Sequence, residues 1–446
     1  MTLKDRWRAI DGLIETPGGI GVLICLYIVT LGFSLRAVIT FSSNYFSAAA
    51  FHIFYDPARF PVAAAVVAAY GLVGVIFLVA RFSSGYLVGF YLYSMILGYL
   101  WINCFSDFNY DHGLAGWSAA FSAAAFLVPA TLIVSPVGRA YELPARMFEH
   151  LLTLILLVSL ATIIAGAIYN FRIVAIEDIY SYRDKLGFPA GLRYAIGITT
   201  TTLLPFAFAC FVAQGNIWRA GAVLVLSLLF YPVTLTKFAI FTPVWLVFVA
   251  VLARYFRPRT AVILSLLLPM LAGLLTSILM VLPTLFYTVN FRMMIIPSNA
   301  FDIYNDYFSR HELTYFCQIG LLKPFVPCAY NEPLSIVMNR TYELGYLNAS
   351  LFATEGVASV GPMLAPIAAF ACGLVFAFGN RLSADLPANF VLISSAILPQ
   401  VFLNVPLSTT LLTHGAGLLF LLWYVMPRAM FERPPARSGL RRSPRK

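Results

Sequence analysis

Apolar and polar positions separate into long apolar runs and short polar joints. In order, the runs are Gly19–Phe41, Phe60–Ala80, Gly85–Cys104, Trp117–Ser135, Phe148–Tyr169, Arg193–Ala213, Ala220–Leu235, Phe238–Ala253, Thr260–Tyr287, Tyr346–Phe378, Pro387–Val405 and Leu411–Met426. Most come close to the ~20 residues a helix needs to cross a bilayer. The pattern predicts an all-α, polytopic integral membrane bundle of about 12 transmembrane helices over residues 1–427. The first run is long enough to stay as a helix rather than be removed as a signal peptide. The weakest joint is Lys237, where two short runs meet with almost no loop.

Composition sharpens this. The chain is 61% hydrophobic and 11% charged, against roughly 45–50% and about 25% for soluble domains. Too little polar surface remains for a soluble enzyme, a disordered protein or a nucleic-acid-binding domain. The net charge of +10 then reads as a topology signal. With both termini cytoplasmic, the whole excess falls on the cytoplasmic side, where it meets anionic lipid headgroups rather than nucleic acid. Residues 428–446 predict a basic, disordered cytoplasmic tail.

Two non-cytoplasmic loops are long, Asn170–Leu192 and Thr288–Gly345, the latter between helices 9 and 10. Long loops on a rigid bundle are where function concentrates. Within the second, Phe301, Tyr304, Asn305, Phe308 and Glu312 recur at helical spacing, which predicts an amphipathic interfacial helix. Asp306 and Arg310 fall at i,i+4 and read either as a surface ion pair or as a site. The shorter loop predicts a second interfacial helix carrying Arg183, with Arg172 and Lys185 at headgroup depth. Lys237 is either a turn residue snorkelling to water or a cation at the floor of an outward cavity. Arg36 reads as a snorkelling residue. Glu355, beside Gly356, is expected to pair with a base.

Arg292, Lys237, Arg183 and Arg340 together could present cations on one face of the membrane, and arginine grips phosphate through two bonds. No P-loop, HExxH or CxxC occurs, so neither metal nor cofactor is expected. In an oxidising compartment Cys317 and Cys328 would pair.

The topology and three short segments resemble the bacterial O-antigen and oligosaccharide repeat-unit polymerases of the Wzy type. The segments are IYSYRDKLG, FRMMIIPSNAFDIYNDYFS and the run from Asn348 to Gly361. The resemblance implies an inner-membrane, metal-independent glycosyltransferase, with function at Arg183, Arg292, Asp306 and Tyr307. Its substrates would be undecaprenyl-pyrophosphate-linked oligosaccharides: a growing glycan as donor and one repeat unit as acceptor, with a chain-length regulator as a further partner. The acceptor hydroxyl would attack the donor's anomeric carbon and expel lipid pyrophosphate. Arg292, Lys237, Arg183 and Arg340 would face the leaving group. His311 and Glu312, then Asp306, are the candidate bases. Tyr304 and Tyr307 would hold sugars, and Glu355 would bind substrate. The first outer loop carries only Asp56, so the paired acids of many other membrane glycosyltransferases are missing. An O-antigen ligase, a flippase or transporter, and a scaffold remain as alternatives.

Overall fold

The computed structural model describes residues 11–40, 48–175, 178, 179, 182, 186–279, 281, 283–320 and 322–431. Among them no strand forms beyond one antiparallel bridge, Ile53 with Ser106. Ten helices are long and apolar enough to cross a membrane. Nine of them are α1 (Pro17–Thr40), α2 (Pro57–Val79), α3 (Ser84–Asn103), α4 (His112–Leu132), α5 (Ala145–Tyr169), α6 (Ala190–Ala213), α7 (Ile217–Thr234), α8 (Lys237–Tyr255) and α9 (Pro258–Ile278); the tenth is Phe352–Ser383. This is a multi-pass helical membrane architecture, and the ten correspond to the first ten apolar runs.

Local chemistry fixes several starts. Ser83, Asp111 and Asn216 each accept a backbone N–H from the first turn of α3, α4 and α7, removing an orphan donor. α3 is apolar on every side, and residues 84–102 are all buried, the mark of a central helix. Asn380 ties it to its neighbours: Oδ1 accepts Gly85 N–H at 2.8 Å, and Nδ2 donates to Ala130 O at 2.7 Å.

Both described ends of the chain lie at one end of the bundle. Asp11 pairs with Arg257, Arg428 with Asp385, and Arg139 donates to Met426 O. The opposite end is called here the distal face.

Three expectations change. The Tyr346–Phe378 run is not one straight helix. At Gly361 the backbone takes φ 76°, ψ 167°, and the chain doubles back. A Cβ on Gly356 would sit 3.2 Å from Ala365 Cβ, whereas a continuous helix holds residues nine apart at roughly 13 Å. Phe352 and Phe376 likewise both touch the Phe126 ring. The result is a re-entrant arm, α12 (352–360), packed antiparallel on α13 (362–383).

The loop after α9 is largely helix in its first third. Helix α10 (283–308) has a π-helical stretch at Tyr287–Ile295 and an α-helical second part, Ile296–Phe308. Residues 297–308 are all buried: of lipid or bundle, the aromatic face takes the bundle, and the polar face lies inside the protein as well rather than at an interface. A short helix, α11 (Leu334–Tyr342), follows. The last two runs are each broken: α14 (Ala388–Ser394) and α15 (Leu398–Phe402), then α16 (Leu407–Leu412) and α17 (Ala416–Val425).

In the shorter loop, Arg172 stands over the Tyr182 ring at 5.7 Å. Arg183 and Lys185, like the basic tail from 432 onward, lie outside the described residues.

Candidate functional site

α10 builds the site because its polar residues find matched neighbours. Asn290 Nδ2 donates to Ser34 Oγ (2.8 Å) and Met270 O (3.0 Å). Gly273 makes room, since a Cβ there would meet Asn290 Oδ1 at 1.8 Å. One stretch on, Ser298 Oγ donates to Met95 O at 2.9 Å across Gly98. The π-helical stretch between Tyr287 and Ile295 widens the helix where Arg292 sits, half-buried.

The distal half of α10 carries two acids. Asp302 is fully buried, accepts Ser106 Oγ at 2.8 Å, and is hydrogen-bonded by the Tyr110 hydroxyl. Burial pushes its carboxyl up to about 7, against the pull of the Tyr110 and Ser106 bonds; Asp306 and Asp107 add to the rise. One turn on, Asp306 Oδ2 accepts Tyr342 Oη at 2.6 Å and pairs with Arg310, while Oδ1 is buried without a partner. The expected i,i+4 ion pair exists, but its acid is inside the protein. His311 lies flat on Tyr307, with centroids 3.9 Å apart, and its Nδ1 meets Tyr307 O at 2.8 Å.

Below this cluster comes the re-entrant arm. Thr314 N–H donates to Ala358 O at 2.8 Å and Ser118 Oγ to Pro362 O at 2.5 Å, which fix the hairpin tip. Glu355, six residues before Gly361, therefore lies roughly 9 Å in from that tip. It is 5% exposed. Oε1 accepts Ser408 N–H at 3.1 Å at the start of α16, and Oε2 is buried with no partner. Among the described residues no cation pairs with it. The expected salt bridge is replaced by a helix N-terminus, whose N–H groups favour a carboxylate. The Tyr304 phenol on α10 faces Thr354 and Glu355.

Tyr304, Asp306, Tyr307, His311 and Glu355 are thus gathered along α10 and the arm. Glu312 and Arg340 are at an exposed rim, Arg340 pairing with Glu332 at 2.7 Å. Lys237 opens α8, half-buried, two residues after Leu235 in the left-handed region. Cys317 and Cys328 are bonded. Sequence reading missed Asp302, Tyr342, Ser408 and His414. His414 O accepts the Thr201 and Thr202 hydroxyls, and its Nδ1 is buried without a partner. Only DIYND carried a signal for Asp302; the others matter through contacts distant in sequence. No group of three or more metal-binding side chains occurs among the described residues.

A pH prediction follows from Asp302. Its folded carboxyl holds its proton up to about 7, while the unfolded chain releases it near 3.8. The stability linked to that proton is present below 3.8 and is lost as pH rises toward 7. Thermal midpoints of the purified protein should fall over that window, and Asp302→Asn should flatten the fall and raise the midpoint at pH 8. An unchanged slope in the variant would refute the assignment.

No protein family, no curated protein and no solved structure matches the chain.

Proposed function

We propose that this protein is a metal-independent glycosyltransferase of the bacterial inner membrane. It crosses the membrane twelve times, with both termini cytoplasmic and the distal face periplasmic. It extends a glycan by moving the growing chain from undecaprenyl pyrophosphate onto the next lipid-linked repeat unit. The observation that carries this reading is Glu355, a buried carboxylate with one unpartnered oxygen, held on a re-entrant arm beside Tyr304 of α10.

The reaction needs a base for the acceptor hydroxyl. His311 and Glu312 are exposed, His311 with its Nδ1 against Tyr307 O, and Asp306 is held by Arg310 and Tyr342, so Glu355 is the better placed. The hydroxyl oxygen bonds to the donor's anomeric carbon as the bond to pyrophosphate breaks. The proton passes to Glu355, and the leaving group keeps the electron pair. Arg292 is the first candidate to face the charge that develops there; Lys237, Arg183 and Arg340 follow. Tyr304 and Tyr307 offer rings and hydroxyls to sugars.

The broken helices and π turns favour a second reading, transport, since discontinuous helices line many transporter sites. Lipid extracts of a strain deleted for the protein separate the readings. Accumulation of single, unpolymerised repeat units is expected. Free long polymer on the lipid carrier would indicate a ligase. Repeat units retained on the cytoplasmic leaflet would indicate a flippase, and unchanged polymer would overturn the proposal.

A further inference from the structure

The distal face carries a second recess, away from the Glu355 arm and built from the sequence before α2 and between α3 and α4. Its two loops are locked together by backbone: Phe54 N–H donates to Phe105 O at 2.9 Å, and Asp107 N–H to His52 O at 3.1 Å, around the Ile53–Ser106 bridge. Side chains brace the same joint. His52 Nδ1 lies 3.0 Å from Asp107 Oδ1, Asp56 Oδ1 caps Ala58 N–H at 2.9 Å, and Arg59 Nε lies 3.6 Å from Asp56 Oδ2. The cleft between them has a volume of about 400 Å³ and is lined by Phe54, Tyr55, Asp56, Arg59, Phe105 and Asp107.

The lining selects a ligand class. Phe105 is buried and packs at 5.4 Å, tilted by 31°, against Tyr55, whose ring also carries the Arg36 guanidinium at 5.8 Å. Phe54 is 49% exposed and free to offer a flat apolar face. Two carboxylates against one arginine repel a phosphate but accept pairs of hydroxyls. The carboxylates and guanidinium in the wall disfavour an acyl chain. An aromatic face beside carboxylates and a guanidinium suits a pyranose, whose C–H face stacks while its hydroxyls bond in plane. Small-molecule sites run from about 300 to 1,000 Å³, so the space suits one or two sugar residues.

We propose that this cleft is a saccharide-binding subsite. It backs directly onto the candidate site, because Ser106 at its floor donates to Asp302 on α10 at 2.8 Å. Naming the bound sugar as part of the lipid-linked substrate rests on the polymerase reading; the cleft itself does not.

The test uses the full chain in lipid nanodiscs and saturation-transfer NMR with the methyl glycosides of glucose, galactose, mannose and N-acetylglucosamine. At least one glycoside is expected to receive saturation from the protein. Phe54→Ala and Asp107→Asn, both at exposed positions, should each weaken binding roughly tenfold, while Phe325→Ala, an exposed aromatic in the long loop, should not. Absence of transfer to all four glycosides, or equal binding by Phe54→Ala, would overturn the subsite even in a strain that makes polymer. Transfer lost in Phe54→Ala, together with unchanged polymer on deletion of the protein, would keep the subsite and remove the polymerase reading.

Discussion

Glu355→Gln is expected to abolish polymer while leaving a protein at least as stable as the wild type. Glutamine keeps the size and the acceptor oxygen that Ser408 N–H uses at 3.1 Å, but it cannot take a proton from a sugar hydroxyl. Loss of a positioned general base costs about 10²–10⁴-fold in rate. Stability should move the other way. A buried carboxylate oxygen without a partner is a folding cost, and the amide relieves the charged part of it. A purely structural role predicts normal polymer with altered stability. Measured together, polymer length in cells and thermal midpoint in detergent separate the two, and wild-type polymer in Glu355→Gln would end the assignment of the base.

Gly361→Val should be nearly as damaging, by a different route. The position is open, with only Leu313 Cδ1 at 3.6 Å from a built Cβ, so crowding is not the issue. The backbone at φ 76°, ψ 167° is a conformation essentially reserved for glycine, and a side chain there costs about 1–3 kcal/mol or more. The arm should retract or the hairpin open, and polymer should fail with it. The geometry has its own check: Gly356→Cys combined with Ala365→Cys should crosslink under mild oxidation. A straight helix would hold the two roughly 13 Å apart, and failure to crosslink would return the segment to a single continuous span.

The sequence made the long helices legible because their signal is local. Twenty apolar residues in a row read the same in any context, and α1 to α9 lie where the runs place them. The failures occur where the period stays apolar but the path changes. Nothing in ASVGPMLAP distinguishes a kinked span from a hairpin except Gly361 and Pro362, which either path accommodates. The run Phe301–Phe308 reads as amphipathic because Asp302, Asn305 and Asp306 are polar. Asp302 and Asp306 instead meet Ser106, Tyr110 and Tyr342 inside the protein, partners that no spacing rule along one segment can supply. Asp306, Tyr307 and His311 were marked by residue type and found on one face. The environment of Glu355 was not: its neighbour Ser408 falls in the joint between the last two apolar runs, where the pattern marks no helix.

The re-entrant arm also bears on how the chain is assembled. Residues 352–360 are far fewer than the ~20 a bilayer crossing needs, so the arm cannot be handed to the lipid as a span of its own. During synthesis it must travel as an extension of α13 and fold back once its berth exists. That berth is made by earlier segments, with Ser118 of α4 and Thr314 of the long loop holding the tip, and by a later one, α16, which supplies the N–H for Glu355. The carboxylate on which the proposed chemistry depends thus reaches its place only after nearly the whole polypeptide has left the ribosome. A chain stopped short of α16 would have every earlier helix inserted and still lack its working centre.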